Sequence, residues 1–169
     1  QHRADVRIRY ERYMEQLEHH TATSQQVLFP ETVQFSPAES VLMEKMLPSL
    51  AAIGFDLSDL GGHTYAINGV PAGFEGVNPI TFLQQVLSES DSASDISPSS
   101  LLTPPSSKIA YRLAQSVAIP YGQVLSNDEM EQLVNELFAC ANVNYTPGGK
   151  AILAILPQAD IDRLLDGKG

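Results

Sequence analysis

A helix with a broad apolar face is predicted to begin after Ser126. The segment 126–129 reads Ser-Asn-Asp-Glu, the spacing of a capping box in which a serine and a glutamate satisfy each other's free backbone N–H groups. Large apolar residues then recur at helical spacing: Met130, Leu133, Val134, Leu137 and Phe138. A face this broad has to be covered by another surface for the helix to be stable. The chain is thereby limited to folds or assemblies that supply such a surface.

Other helices are predicted on both sides of this one. Apolar residues between 6 and 17 form one stripe of an amphipathic helix. Its charged residues lie off that stripe, and most are expected to be solvated: Arg3, Arg7, Glu11, Glu15 and Glu18. A capping box at Ser36 predicts a helix that runs to Gly54. Pro48 in its interior predicts a kink, or a break into two shorter helices, near Leu47. Shorter helices are predicted after Asn78-Pro79, over 108–117 and after Pro157.

The β-structure is predicted in three places. Residues 27–35 read as an extended segment, and Pro30 restricts it to the edge of a sheet because proline has no N–H to donate. Residues 55–70 read as a hairpin that turns at Gly61-Gly62. The run 152–156, Ile-Leu-Ala-Ile-Leu, has the continuous apolar character of a buried strand. Helices combined with a hairpin agree in outline with an α+β fold, the class that a family resemblance described below implies.

Residues 88–107 are rich in Ser, Asp and Pro and poor in large apolar side chains. A segment of this composition buries too little apolar surface to offset the entropy lost on ordering. We therefore predict a mobile surface linker over 88–107.

Charge and composition limit the function. Ten Lys and Arg against 20 Asp and Glu give a net charge of −10, which disfavours autonomous binding to the phosphate backbone of DNA. The single cysteine, Cys140, excludes an intrachain disulfide, fits a reducing compartment and is interpreted as core packing. No run is long and apolar enough for a membrane span. These features predict a soluble cytoplasmic protein.

The first eleven residues contain part of a metal motif. They resemble the start of the C-terminal domain of the MutL family of DNA mismatch repair proteins, where the pattern is Asp-Gln-His-Ala, two residues, Glu, four residues, Glu. Gln1, His2 and Glu11 match this pattern. Val6 stands at the first Glu position, Arg3 stands at the Ala position, and the leading Asp would precede the chain. From these residues alone, an ordinary solvated helix is the alternative.

In nuclease-competent members of the family, a helical cysteine and a Cys-Pro-His-Gly loop complete the metal site. The matching positions here hold Gln115, Thr146 and Gly148. Amide, hydroxyl and glycine are poor replacements for thiolate and imidazole as ligands of zinc or manganese. The resemblance therefore implies a degenerate nuclease site with no catalytic residue, metal or cofactor, and we expect the domain not to be an enzyme.

Two other features have simpler interpretations than chemistry. The loop after Tyr145 reads Thr-Pro-Gly-Gly-Lys, with Pro147 and Gly148 at the preferred positions of a type II turn. His19, His20 and His63 are interpreted as surface residues.

The hexapeptide 25–30 fits the Gln-x-x-Leu-x-Pro pattern by which MutL-like domains contact the sliding clamp. Gln25 would bond at the rim of a clamp pocket, Leu28 would fill its apolar floor, and Pro30 would hold the backbone extended. The alternative is an edge strand whose Leu28 and Phe29 pack inward.

The fold that the resemblance implies is two-lobed. Residues 1–24 and 118–169 would form a dimerisation lobe, and 25–117 an inserted regulatory lobe. The implied function is a homodimeric scaffold that recruits the sliding clamp and a MutS-type mismatch sensor, and that contacts DNA weakly or through the rest of the protein. Two alternatives remain: a nicking endonuclease that uses His2, Asp5 and Glu11, and a monomeric clamp-binding adaptor.

Overall fold

The computed structural model describes residues 1–91 and 105–165, which form an α+β fold as predicted. The elements in chain order are α1 (His2–His19), β1 (Ser24–Gln34), α2 (Pro37–Ile53), β2 (Asp56–Gly61), β3 (Thr64–Pro71), α3 (Pro79–Asp91), α4 (Pro105–Val117), α5 (Asn127–Ala139) and α6 (Gln158–Leu165).

Three helices begin at the caps that the sequence predicts. The Ser36 hydroxyl accepts from the Glu39 N–H at 3.3 Å, and the Glu39 carboxylate accepts from the Ser36 N–H at 2.8 Å. The same reciprocal pair starts α5 at Ser126 and Glu129. The Asn78 side-chain oxygen accepts from the Thr81 N–H at 2.8 Å at the start of α3. Each cap satisfies a backbone N–H that the helix leaves free.

Helix α2 continues through Pro48 without a break. The predicted alternative of two shorter helices is therefore wrong. Pro48 and Glu44, the residue whose carbonyl loses its helical partner, are both exposed, so water can replace the missing bond. Met46 and Leu50 on the opposite side are buried in the core and hold the helix together across the proline.

The sheet has three antiparallel strands in the order β1-β3-β2, which places β1 at an edge as predicted. The predicted hairpin turns at Gly61 and Gly62, both with positive φ, and His63 follows in the same left-handed region at φ 64°. The β1 register shifts between Gln26 and Glu31, so residues 27–30, including Pro30, form a bulge outside the ladder.

Two clusters of buried apolar side chains share α1. The larger cluster joins α1 to α2, α3, α4 and the sheet, and α1 contributes Val6 and Tyr13 to it. The smaller cluster consists of Ala4 and Ile8 of α1 with Leu137 of α5, and Val143 and Ile152 are among the residues that pack against it. Helix α1 therefore ties the C-terminal third of the chain to the main core.

The predicted buried strand at 152–156 is wrong. This part of the described chain is irregular, and its β contact is a single bridge between Tyr145 and Ala151. The Ile155 side chain is 93% exposed, and Leu156 is exposed as well. A strand is stable when its backbone groups pair with a neighbour, and residues 152–156 are not part of the three-stranded sheet that the structure describes.

Helices α3 and α4 extend into the predicted linker at both ends, over 88–91 and 105–107. The remainder of that prediction, 92–104, lies outside the described residues. Within the described ranges, no helix combines the length and apolar character needed to cross a membrane.

Candidate functional site

The start of α1 holds the loop that follows α4. The Asp5 carboxylate is buried and accepts from the Ile119 N–H at 2.7 Å and from Arg9 Nε at 2.8 Å. His2 Nδ1 lies 2.9 Å from the Ile119 carbonyl oxygen, and the His2 ring packs against Tyr121 with 4.1 Å between centroids. Both side chains therefore bind backbone atoms more than 110 residues away in sequence.

Further along α1, Glu11 and Arg7 hold the chain that follows α5. The Glu11 carboxylate accepts from the backbone N–H groups of Ala141 at 2.7 Å and Asn142 at 3.2 Å. Arg7 donates to the Tyr145 carbonyl oxygen at 2.8 Å and forms an ion pair with Glu11 at 3.4 Å. These contacts fix the distance between α1 and the loop 141–145.

The prediction that most α1 charges are merely solvated is therefore wrong for several of them. Arg7 is buried, Glu11 is half-buried, and Arg3 donates to the Ala151 carbonyl oxygen at 2.8 Å. The local pattern did not reveal this because the partners are backbone groups far away in sequence.

Cys140 lies beside this network at the end of α5 and is half-buried. Its thiol donates to the Glu136 carbonyl oxygen at 3.4 Å. Burial, and then the negative charge of Glu11, raise the pKa of Cys140 to about 11. Cys140 packs against the smaller apolar cluster, which agrees with the prediction of a packing role.

Gln115 and Gly148 are brought together by Tyr111, a residue that the sequence analysis did not single out. The Gln115 amide donates to the Tyr111 hydroxyl at 3.1 Å and accepts from Arg112 at 3.1 Å. A Cβ built on Gly148 would collide with the same hydroxyl and would lie 3.1 Å from the ring carbon that carries it. Tyr111 thus occupies the space in which a side chain at position 148 would lie.

Thr146 is buried and closes the turn that contains Gly148. The Thr146 N–H donates to the Lys150 carbonyl at 2.8 Å, and the Lys150 N–H donates to the Thr146 hydroxyl at 3.0 Å. The positive φ of this turn is at Gly149, 76°, rather than at Gly148. The turn was predicted correctly but its type was not, because a type II turn requires the positive φ at position 148.

The hexapeptide 25–30 begins with two residues paired to β3, Gln25 and Gln26, and its last four residues form the bulge of β1. Leu28 is 91% exposed, and Gln25, Phe29 and Pro30 are exposed as well. The alternative in which Leu28 and Phe29 pack inward is therefore wrong, although β1 is indeed an edge strand. An exposed leucine on an extended segment has the geometry of a peptide that inserts into a partner's pocket.

Many large apolar side chains after Val117 are exposed, and we term them together the C-terminal apolar surface. Its exposed members are Tyr121, Val124, Met130, Val134, Phe138, Tyr145, Leu153, Ile155, Leu156, Leu164 and Leu165. A cavity of about 550 Å³ opens within it between the start of α1, α5 and residues 151–153. The broad face predicted for α5 is real, and only its Leu137 edge is fully buried.

Comparison with known proteins identifies the family. A model described as the MutL C-terminal dimerisation domain matches residues 1–125. The chain belongs to the MutL family. It is 42% identical over 165 residues to the DNA mismatch repair protein MutL of Bacteroides fragilis and 42% identical over 164 residues to that of Phocaeicola vulgatus. It is 33% identical over 168 residues to that of Porphyromonas gingivalis. These alignments cover 96–97% of this chain but 25–26% of each relative, so the chain spans about a quarter of their length.

The positions of this chain that were compared with the nuclease motif are occupied by packing and hydrogen bonds within the protein. Val6 is buried in the larger core, at 3% exposure, and carries no donor atom. The carboxylates of Asp5 and Glu11 accept hydrogen bonds from backbone N–H groups. These N–H groups stabilise the negative charge of the carboxylates and would not bind a cation. Within residues 1–91 and 105–165, no group of three His, Cys, Asp or Glu side chains could hold a metal.

His19, His20 and His63 are exposed and lie at the end of α1 and in the hairpin turn, as predicted for surface residues.

Proposed function

We propose that this MutL dimerisation domain associates with a second copy through the C-terminal apolar surface. The exposure of that surface is the observation that supports the proposal most strongly. Large contiguous apolar patches are uncommon on monomers, and they usually mark interfaces. An obligate dimer buries more than about 2,000 Å², mostly apolar. The eleven exposed large apolar side chains within residues 121–165 could contribute to an interface of that kind.

The proposed arrangement has two lobes. Residues 1–24 and 118–169 would form the dimerisation lobe, and 25–117 the regulatory lobe. The smaller apolar cluster supports a dimerisation lobe made from both ends of the chain, because it joins the start of α1 to α5 and Ile152. Val6 and Tyr13 of α1 also belong to the larger cluster, so α1 packs against both lobes. Sedimentation equilibrium tests self-association directly: twice the monomer mass that persists on dilution supports the proposal, and a monomer at every concentration would contradict it in favour of a monomeric adaptor.

In the whole protein, such a dimer would act as a scaffold for mismatch repair. Tethering two subunits raises the effective concentration of whatever each one carries, so their meeting becomes an intramolecular event. We propose that a MutS-type mismatch sensor binds the assembly. DNA would contact this domain weakly, because its charge of −10 opposes phosphate binding.

We further propose that this domain does not cleave DNA. The side chains His2, Asp5 and Glu11, which an altered nuclease site would need, bind the backbone of two loops instead. A hydrolytic metal requires several ligands held in a fixed geometry around it. Moving these side chains onto a metal would release the loops after α4 and α5.

Plasmid nicking tests this proposal. We expect no Mn²⁺-dependent nicking of supercoiled plasmid above the level of a metal-free control. Glu11→Ala should instead lower the free energy of unfolding by about 2 kcal/mol, because it leaves two backbone N–H groups without their acceptor and removes the ion pair with Arg7. Glu15→Ala, an exposed residue of the same helix, should change it by less than about 0.5 kcal/mol. Nicking that requires Mn²⁺ and is abolished by Glu11→Ala would establish the nuclease alternative.

The hexapeptide 25–30 is proposed to bind a sliding clamp. Leu28→Asp should abolish binding to a bacterial sliding clamp, measured by surface plasmon resonance, because a charge cannot enter an apolar pocket unpaired. Its effect on stability should be below about 0.5 kcal/mol, since Leu28 is almost fully exposed. Leu60→Asp, an exposed leucine of β2 outside the hexapeptide, is the matched control and should bind normally. Unchanged binding by Leu28→Asp would refute the clamp assignment.

A further inference from the structure

The bulge of β1 opens a groove on the sheet. Strand β1 pairs with β3 as far as Gln26, opposite Gly69, and resumes at Glu31, opposite Ile67. Residues 27–30 therefore lie opposite a single β3 residue, Asn68, and curve away from it. A groove of about 460 Å³ lies beside this excursion.

The groove combines a rigid floor with an exposed wall. Phe74 is buried and packs edge-to-face on two aromatic rings, Phe55 and Phe82, each with 5.4 Å between centroids. Further apolar lining comes from Val27, Ile67, Val70 and Val77. Leu28 and Phe29, by contrast, are exposed on the bulge. A preformed floor lowers the entropic cost of binding, and the exposed side chains can close over an occupant.

The charge of the groove favours a basic occupant. Among the lining residues that the structure describes, the charged ones are Glu31 and Glu75, and both are exposed. The chain around them carries a net charge of −10. Complementary charge attracts a cationic partner and repels an acidic one. The backbone of 27–30 also lies outside the β ladder, where an extended segment can approach it.

We propose that this groove binds an extended peptide segment of a partner protein, with a large apolar side chain flanked by lysine or arginine. The apolar side chain lies over Phe74 and Val77, and the flanking cations lie near Glu31 and Glu75. The proposal stands on the groove itself and does not require the clamp assignment, although Leu28 belongs to both sites.

A labelled hexapeptide, Ala-Lys-Leu-Phe-Arg-Ala, is the probe, and fluorescence anisotropy with the whole chain is the measurement. We expect saturable binding that weakens about tenfold in the double variant Glu31→Lys/Glu75→Lys. The control Glu18→Lys/Glu44→Lys makes the same change in net charge at exposed positions outside the groove, and it should bind within about twofold of the unaltered chain. A peptide with glutamate at both basic positions should not bind.

Several results would overturn the proposal. They are the absence of saturable binding up to about 1 mM peptide, equal binding of the acidic peptide, and equal weakening by the control pair. A shift of the monomer–dimer equilibrium in Glu31→Lys/Glu75→Lys would instead assign the groove to a second copy. Clamp binding separates the two proposals: Leu28→Asp tests the hexapeptide, whereas Glu31→Lys/Glu75→Lys should bind the probe peptide about tenfold more weakly whether or not the clamp binds.

Discussion

Phe138→Asp on α5 is expected to weaken self-association about a hundredfold. Phe138 is 64% exposed although it continues the apolar face of α5, so its ring is available to a second copy. Buried aromatic residues at the centre of an interface contribute several kcal/mol each, and an aspartate at that place would also be buried without a partner. Ile155→Asp, on the irregular segment after Ala151, should act in the same direction.

Sedimentation equilibrium of the variants over a wide concentration range measures this effect. Val41→Asp is the matched control because Val41 is a helical apolar residue with 52% exposure, on α2 and outside the C-terminal apolar surface. Circular dichroism should be unchanged in all three variants, since each side chain is exposed in the single chain. If Phe138→Asp and Ile155→Asp dimerise like Val41→Asp, the interface lies elsewhere.

The second large effect is expected from Val6→Glu, which restores the acidic residue of the family pattern. Val6 lies in the larger core, so an ionised carboxylate at this position would be desolvated without a cationic partner. We expect a loss of about 3–5 kcal/mol in the free energy of unfolding at neutral pH. The neutral substitution Val6→Gln keeps the shape of glutamate and should cost about 1–3 kcal/mol. Restoring this ligand by itself would therefore destabilise the fold before it created a metal site.

The charge contribution has a defined pH dependence. Burial raises the folded-state pKa of the introduced carboxyl above its unfolded value of about 4.3. Below that value the carboxyl is protonated in both states and the charge penalty is absent. As the pH rises, the unfolded chain ionises first, and the difference between Val6→Glu and Val6→Gln should widen. Urea unfolding at pH 4.5 and pH 7.5, at one protein concentration, measures it. A difference that does not change with pH would mean that the carboxylate reaches solvent or a cation.

The predictable parts of the fold are those specified by neighbouring residues. The caps at Ser36 and Ser126 and the turn at Gly61-Gly62 depend on contacts within four residues, and each was predicted correctly. The failure at 152–156 has the opposite cause. A strand requires a neighbouring strand, which usually comes from a distant part of the sequence. A run of apolar residues does not show whether that neighbour exists.

The candidate site shows the same limit. The sequence singled out Gln115, Thr146 and Gly148 because they stand at family positions, but it gave no sign of Tyr111, which connects two of them. The burial of Asp5 and Arg7 was likewise hidden, because their partners are the backbone groups of Ile119 and Tyr145. Every residue has the same backbone groups, so the sequence does not show which of them a side chain will bind. Contacts of this kind are seen only in the folded structure.

The hydrogen bonds between α1 and the two loops affect which substitutions this protein can tolerate during evolution. Helix α1 holds the loops after α4 and α5 through the peptide groups of Ile119, Ala141, Asn142 and Tyr145, and not through their side chains. The anchoring is thus indifferent to which amino acids stand at those positions, provided that each has a free N–H or C=O. Substitutions at Ile119, Ala141 and Tyr145 can therefore change what the loops present to other molecules and leave these contacts in place. Tyr121 and Val143 differ, because their side chains pack against the rest of the fold. Substitutions are therefore tolerated at the loop positions held through their backbone groups, whereas substitutions of the α1 side chains that bind them are destabilising.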